Sequence, residues 1–586
     1  MYQSTRVFVL GAMLGAAACG GSAAVRPGVA HAFPSAPSGP REQSPGQQVT
    51  QVLNRLAFGA RPGEVERVRE MGVDRWIAWQ LQPERIDDAT AEHFFAGFES
   101  YHLSAAELQQ RYPPRNQLLK RIGARDDGGR LSAEDSTLVK QAAAGVRRIT
   151  TEVQGGRVAR ALLTERQLQE VMTDFWLNHF SVYIQKNQQE RYHLAEYENS
   201  AIRPNALGKF RTLLAAVAKS PAMLIYLDNA LSQADSGRPR LLDGRGRGGR
   251  PLLAAKRTAG LNENYGRELL ELHTLGVDGG YSQADVINVA RALTGWTVQP
   301  PQLGGGFMFA PAMHDAATKV VLGHTLRAGR GLEDGEEVLS IVSRHPATAR
   351  YIAFKLARRF VSDDPPRQLV ERAAETFRRT DGDIREVVRT IVTSPEFFAA
   401  ASYKSKVKSP FEMVTSTLRA LTAQPDTTLR TAQMVATLGQ PIYGHQAPNG
   451  WPEAGTEWMN TGAILNRINF GALVGTNGLP GASPTQWPGA AALQGLPLEL
   501  QVDGVIIALL GGEASAETRA ILTRGENPLL RTAATTTMTA PVVATAGSDM
   551  AAPEPLRHVT LGSHAPLKGL AGLVGLAIGS PEFQRR

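Results

Sequence analysis

The polar segment at residues 262–276 carries more charged and amide groups than packing requires. At about 100° per residue along a helix, its apolar side chains form one face, and Glu268 falls inside that face. A carboxylate placed in an apolar surface loses hydration, so it must be paired, metal-bound or protonated. Two interpretations follow: a structural ion pair with Arg267, Arg291 or Lys319, or an acid/base carboxylate with a displaced pKa.

Two further groups of residues could complete an acid/base or metal site with Glu268. His179 lies near the centre of an apolar helical stripe, where a satisfied core histidine is the alternative interpretation. His314, Asp315 and Lys319 follow a glycine-rich break and are predicted on a loop. There they could serve as base, orienting carboxylate and oxyanion partner, or form an ordinary turn with a local salt bridge.

Other polar and aromatic residues could contact a ligand. The aromatic segment, residues 443–452, places rings beside amides, which suits stacking on sugar rings or other amphipathic ligands. Alternatively, Trp451 and Trp458 close the core beneath a loop. The predicted ligand-binding residues are Asn264, Glu271, His273, Trp296 and Trp451.

Several classes of chemistry are excluded by missing residues and motifs. The sequence contains no phosphate-binding GxxxxGK[ST], no GxGxxG between a strand and a helix, no HExxH and no GxSxG, so it carries no nucleotide or flavin signature. Its only cysteine is Cys19, which excludes disulfides and thiolate metal sites from the folded body. Histidines and carboxylates could still hold a divalent metal.

Helical periodicity with capping residues positions these groups. The pattern predicts a mainly α protein, a large multi-helix globular body with long loops and at most minor β structure. Ser394-Pro395-Glu396 predicts a helix start, and Ser580-Pro581-Glu582 repeats it. Residues 505–510 could form a strand or a buried helix turn.

Composition divides the chain into five parts. They are a signal peptide at 1–32, a flexible linker at 33–48, a helical body at 49–531 with a basic loop at 233–257, a low-complexity connector at 532–555, and a C-terminal helix region at 556–586 that returns to the body.

The N-terminus predicts export. An apolar run at residues 7–18 has signal-peptide length and ends in small residues before Cys19, which resembles a bacterial lipobox with Cys19 as the lipidated residue. The alternative is plain secretion with cleavage after Ala32. Both place the protein in the periplasm, on the cell surface or in the medium, and the membrane is reached only through an N-terminal lipid.

The net charge of +8 comes mostly from the basic loop, whose arginines alternate with glycines at residues 244–250. Such a segment could touch polyanions, but a flexible insertion kept soluble by charge is favoured, because an exported protein rarely meets nucleic acid. Nucleic acid is therefore not expected as a partner.

Several motifs in order resemble the bacterial domain-of-unknown-function 1800 family over nearly the whole mature chain. They are Asn54-Arg55-Leu56-Ala57-Phe58-Gly59, Phe175-Trp176-Leu177-Asn178-His179-Phe180, residues 262–281, Leu293-Thr294-Gly295-Trp296, His314-Asp315 with Lys319, His345-Pro346-Ala347-Thr348-Ala349 and Asn449-Gly450-Trp451-Pro452. Gly266 stands where the family pattern has Ala, and the basic loop and the connector look like insertions. The resemblance implies a large helical exported protein without an established activity or catalytic residues.

Together these features predict an extracytoplasmic envelope protein whose polar segments meet in one cleft. The catalytic residues would be Glu268, His179, His314, Asp315 and Lys319, in an acid/base or metal-assisted enzyme acting on an envelope or extracellular polymer. The alternative is a non-catalytic binding or assembly protein. Substrate and oligomeric state cannot be read from the sequence.

Overall fold

The computed structural model describes residues 40–123, 131–242, 260–525 and 567–586. These residues form 24 α-helices and only two small two-stranded sheets, which confirms the mainly α prediction. The first helices are α1 (Pro45–Arg55), α2 (Glu64–Met71), α3 (Val73–Gln80), α4 (Ala89–Phe95), α5 (Ala105–Arg111), α6 (Arg115–Arg121), α7 (Ala133–Leu163), α8 (Gln167–His179), α9 (Glu190–Glu196), α10 (Phe210–Ala218), α11 (Pro221–Tyr226) and α12 (Asn264–Glu268). The others are α13 (Gln283–Leu293), α14 (Leu332–Arg344), α15 (Pro346–Phe360), α16 (Arg367–Arg379), α17 (Ile384–Val392), α18 (Pro410–Ala420), α19 (Arg430–Thr437), α20 (Thr461–Gly475), α21 (Ala490–Leu493), α22 (Leu498–Leu510), α23 (Ala516–Arg524) and α24 (Gly569–Ile578).

Shorter elements complete the described structure. Two π-helices span Tyr197–Ile202 and Leu269–Thr274. Strands β1 (Trp296–Val298) and β2 (Phe307–Phe309) pair antiparallel, as do β3 (Lys319–Val321) and β4 (His324–Leu326). The 3₁₀ turns are Pro83–Arg85, Glu99–Tyr101, Arg203–Asn205, Asn229–Leu231, Pro301–Leu303, Ala400–Ser402 and Gly455–Trp458.

Side-chain caps fix where several helices begin. Ser44, Ser282 and Ser409 each accept a hydrogen bond from the backbone three residues on, and the residue there bonds back to the serine amide. This reciprocal box satisfies two amides that the helix leaves unpaired. Most of the buried apolar side chains behind these helices belong to one continuous core, and the elements of the candidate site pack against that core.

The predicted helix start at Ser394 is wrong. Ser394 accepts a hydrogen bond from the Phe397 amide (3.2 Å), but the chain makes only a turn there. Phe397 and the adjacent Phe398 are both fully buried in that turn. Ser580 forms the same kind of turn with the Phe583 amide (3.4 Å).

The last described helices pack closely together. Residues 505–510 belong to α22, which resolves the choice between strand and helix. Helix α24 packs on α20 through glycines: a Cβ on Gly575 would lie 2.6 Å from the carbonyl oxygen of Gly471.

No described helix is long and apolar enough to cross a membrane. The predicted signal peptide with Cys19, most of the basic loop and the predicted connector lie outside the described residues.

Candidate functional site

Glu268 ends α12, and the chain continues at once into the π-helix Leu269–Thr274. The Leu275 amide donates to the carbonyl of Leu270, five residues back (2.9 Å), which is the π spacing. The uninterrupted α-helix expected from the spacing of apolar residues is therefore wrong. The wider turn buries Leu270 and leaves Leu272 half-buried. Short π segments are rare and often occur at functional sites.

The cations expected to pair with Glu268 bind other carboxylates. Arg291 pairs with Asp315 (2.7 Å), and Lys319 pairs with Asp334 (2.7 Å). Arg267, the third candidate, lies 3.6 Å from Glu263 instead. The ion-pair interpretation of Glu268 is therefore wrong for all three.

Glu268 is half-buried and makes no hydrogen bond or ion pair with any described residue. Burial raises the pKa of its carboxyl, the neighbouring Glu271 raises it further, and Arg267 opposes them. A carboxyl in this state can hold a proton closer to neutral pH, as a general acid must.

Two tyrosines interact with Glu268 and Glu271. The Tyr281 hydroxyl donates to Glu271 (3.2 Å). Burial, followed by the charge of Glu268, raises the pKa of Tyr226, whose hydroxyl donates to the carbonyl of Gln446 (2.7 Å). Tyr226 thus connects the neighbourhood of Glu268 to the aromatic segment.

His179 meets His273 rather than Glu268. Nε2 of His179 lies 3.1 Å from the carbonyl oxygen of His273, and since a carbonyl only accepts, this nitrogen carries the proton. Both rings are buried, with 2% and 1% of their surface exposed. Burial and then the charge of Lys355 lower the pKa of both imidazoles, that of His273 to about 3.

His314 and Lys319 meet at Asp334, which lies outside the predicted site. His314 Nε2 is 3.4 Å from Asp334 Oδ2, and its Nδ1 is 2.7 Å from the carbonyl oxygen of Thr294. Asp315 is held by two nitrogens of Arg291, at 2.7 and 3.2 Å.

His314 and Asp315 lie in the irregular segment between β2 and β3, as predicted, whereas Lys319 begins β3; the side chains of all three are buried. Asp315 and Lys319 pair there with Arg291 on α13 and Asp334 on α14, residues distant in the sequence. No described hydrogen bond, ion pair or ring contact links this network to Glu268 or His179.

The predicted ligand contacts differ in accessibility. Asn264 is exposed at the first position of α12, and Glu271 is half-buried. Trp296 is fully buried against Phe307, a location that suits packing. Trp451 is half-buried: its backbone bonds both ways with the Asn178 amide, at 2.9 and 2.7 Å, and its ring lies 4.6 Å from that of His445.

Two residues near His179 and His273 were not predicted. Tyr351 and Lys355 stand four residues apart on α15, and the Tyr351 ring lies 6.1 Å from that of His179. Their only signal in the sequence is a helical spacing beside a core face. In the described part of the chain, no group of three or more His, Cys, Asp or Glu residues could hold a metal ion.

The fold and site define a class: a mainly α-helical protein with an unpaired, half-buried carboxyl at an α-to-π junction and a pair of buried histidines that contact each other. The chain belongs to the family described as "Protein of unknown function (DUF1800)", which it matches over residues 51–585. No curated protein and no solved structure matches it.

Proposed function

We propose that this protein is an exported cell-envelope enzyme that uses Glu268 as its proton-transfer group on an envelope or extracellular polymer. The observation that carries the proposal is the half-buried Glu268 carboxyl, which has no partner among the described residues. By contrast, the buried carboxylates of Asp315 and Asp334 are each paired with a cation. An unpaired carboxyl that still reaches solvent is available to a substrate.

The surroundings of Glu268 support a polymeric substrate. Tyr226 connects its neighbourhood to the aromatic segment, where the neighbouring rings of Trp451 and His445, tilted at 53°, offer apolar faces beside amides. Such surfaces suit extended amphipathic ligands such as glycans. A chain bound along them would lead toward Glu268.

The test compares Glu268→Gln with the wild type on isolated envelope fractions and extracellular polymers. Release of soluble fragments is measured by mass spectrometry. The substitution keeps the shape and removes the transferable proton, so we expect the rate to fall about 100-fold or more. Glu263→Gln is the matched control, because Glu263 lies in the same segment but is bound by Gln283 (2.6 Å). Equal rates for Glu268→Gln and wild type would disprove the proposed role.

The half-buried Trp451 also favours a second candidate, a non-catalytic envelope binding or assembly protein. That function predicts polymer binding that Trp451→Ala weakens and Glu268→Gln leaves unchanged, with no fragments released by the wild type. The same fractions serve for this sedimentation assay.

Export is supported by the N-terminal sequence. Cell fractionation should find the mature protein outside the cytoplasm, and the intact mass of its N-terminus separates a lipidated Cys19 from cleavage after Ala32. Cys19→Ser should release the protein from membranes only if Cys19 carries lipid.

A further inference from the structure

Lys355 is a half-buried lysine whose ammonium group has no acceptor among the described residues. It lies on α15 over the rings of Phe175 and Tyr351, at 5.9 and 5.8 Å. Glu453 is the acid that acts on it, yet the two make no ion pair; burial lowers the pKa of Lys355 and Glu453 partly offsets this. No carboxylate of the described chain lies within ion-pair distance of this ammonium group, so it is available to an anion from outside.

Two imidazole nitrogens beside Lys355 also lack partners. Nδ1 of His179 and Nε2 of His273 are buried and make no hydrogen bond in the described structure, and the two ring centres are 6.3 Å apart. The ring of Tyr351 closes the group at 6.1 Å from His179. Three unsatisfied polar groups therefore converge from α8, the π-helix and α15.

The chemistry of these groups specifies their ligand. Buried polar groups are nearly always hydrogen-bonded, so the two orphaned ring nitrogens beside Lys355 call for an outside partner. Lys355 offers only donors, which suit an oxyanion. Nδ1 of His179 is an acceptor, because Nε2 holds the ring proton against the His273 carbonyl, and an acceptor suits a hydroxyl.

We propose that Lys355, His179 and His273 form a binding pocket for an oxyanion with a neighbouring hydroxyl group, the chemistry shared by acidic sugars and polyol phosphates. Lys355 pairs with the oxyanion, and His179 accepts the hydroxyl proton. Tyr351 joins the pocket to the surroundings of Glu271, whose charge acts on its hydroxyl. The pocket would hold an acidic group of the polymer that Glu268 acts on; this last step alone rests on the proposed function.

The experiment titrates the full-length protein with D-glucuronate, glycerol 3-phosphate and D-glucose by calorimetry. We expect at least one of the two anions to bind, and glucose, which lacks the anion, not to bind. Lys355→Met keeps the apolar stem between the two rings and removes the charge, so the anion should bind about ten-fold more weakly or worse. Lys355→Arg keeps the charge and should stay within a few-fold of wild type.

The matched control is Lys404→Met. Lys404 also lies over an aromatic ring, that of Tyr403 (5.3 Å), but its ammonium is already bound by Glu513 (3.3 Å) and the Leu510 carbonyl (3.0 Å). Its loss should leave anion binding unchanged. Circular dichroism checks that each variant is folded, and Lys355→Gln replaces the Met variant if that one unfolds.

The outcomes separate the sources and the proposals. A preference for glucuronate assigns acidic sugars, and a preference for glycerol 3-phosphate assigns polyol phosphates. Failure of both anions to bind, equal binding by Lys355→Met, or equal binding of glucose overturns the pocket. Glu268→Gln should still bind the anion: if it also keeps full polymer cleavage, the proposed function fails while the pocket stands.

Discussion

Glu190 provides a direct test of the buried electrostatics. It opens α9 with 0% of its surface exposed, and neither carboxyl oxygen has a hydrogen-bond partner in the described structure. The nearby charges, Lys186 and Asp228, bind each other (2.7 Å). Burial raises the pKa of Glu190 well above its usual value; Lys186 lowers it in part and Asp228 adds to the rise. The folded protein should therefore hold this carboxyl as the neutral acid.

The perturbation is Glu190→Gln, which mimics the neutral acid. Above the unfolded pKa of about 4.3, the folded wild type binds one proton more than the unfolded chain, so its stability falls as pH rises. The loss is about 1.4 kcal/mol per pH unit until the raised folded pKa is reached. The variant has no such proton. The difference between its free energy of unfolding and that of the wild type should therefore grow in the variant's favour by this amount per pH unit.

Proton counting measures the same quantity without requiring reversible unfolding. Wild type and variant are unfolded in guanidinium, in weak buffer that contains a pH indicator. The starting pH is about 6, which is above the pKa of glutamate in an unfolded chain. Wild type should release about one proton more than Glu190→Gln. Glu196→Gln, which removes an exposed carboxylate of the same helix, controls for the loss of a charge. Equal proton release by wild type and Glu190→Gln, with parallel stability profiles, would show that Glu190 is charged in the fold.

Two further substitutions test packing and pairing, both by denaturant unfolding. Gly575→Ala should destabilise by about 1–3 kcal/mol, because its Cβ would lie 2.6 Å from the Gly471 carbonyl oxygen, which is backbone and cannot rotate away. Lys319→Met should destabilise by about 3–5 kcal/mol, since it removes a partner from the buried Asp334. The controls are Gly46→Ala in an open helix position, which should gain up to about 1 kcal/mol, and Lys209→Met at an exposed pair, which should change stability by less than about 1 kcal/mol.

The sequence predicted architecture better than partners. Apolar spacing and serine caps are local signals, and the helices they predicted are largely present. The π-helix was not predictable in this way, because an α and a π turn differ by one residue and the choice depends on local bonds such as that from the Thr274 hydroxyl to the Leu269 carbonyl (2.5 Å). The helix start predicted at Ser394 was wrong for a related reason, because a serine side chain can cap a turn as well as a helix.

The chemical groups at the site were predicted in part, and their pairing was not. The prediction that His314, Asp315 and Lys319 lie together follows from their closeness in sequence. Their partners Arg291 and Asp334 come from separate helices, which no local pattern specifies. Burial of charged side chains is equally invisible: Glu190 follows a run of polar residues that predicts an exposed loop.

Ion pairing distinguishes the His314 network from the groups of the candidate site. The His314 network contains opposite charges at ion-pair distance, so folding alone accounts for it. Glu268 and Lys355 are half-buried without such a partner, and one ring nitrogen of each of His179 and His273 is buried without one. The π-helix follows Glu268 and contains Glu271 and His273, while Tyr351 and Lys355 pack beside it. The proposed acid/base group and one histidine of the proposed anion pocket therefore lie five residues apart along the same α-to-π segment.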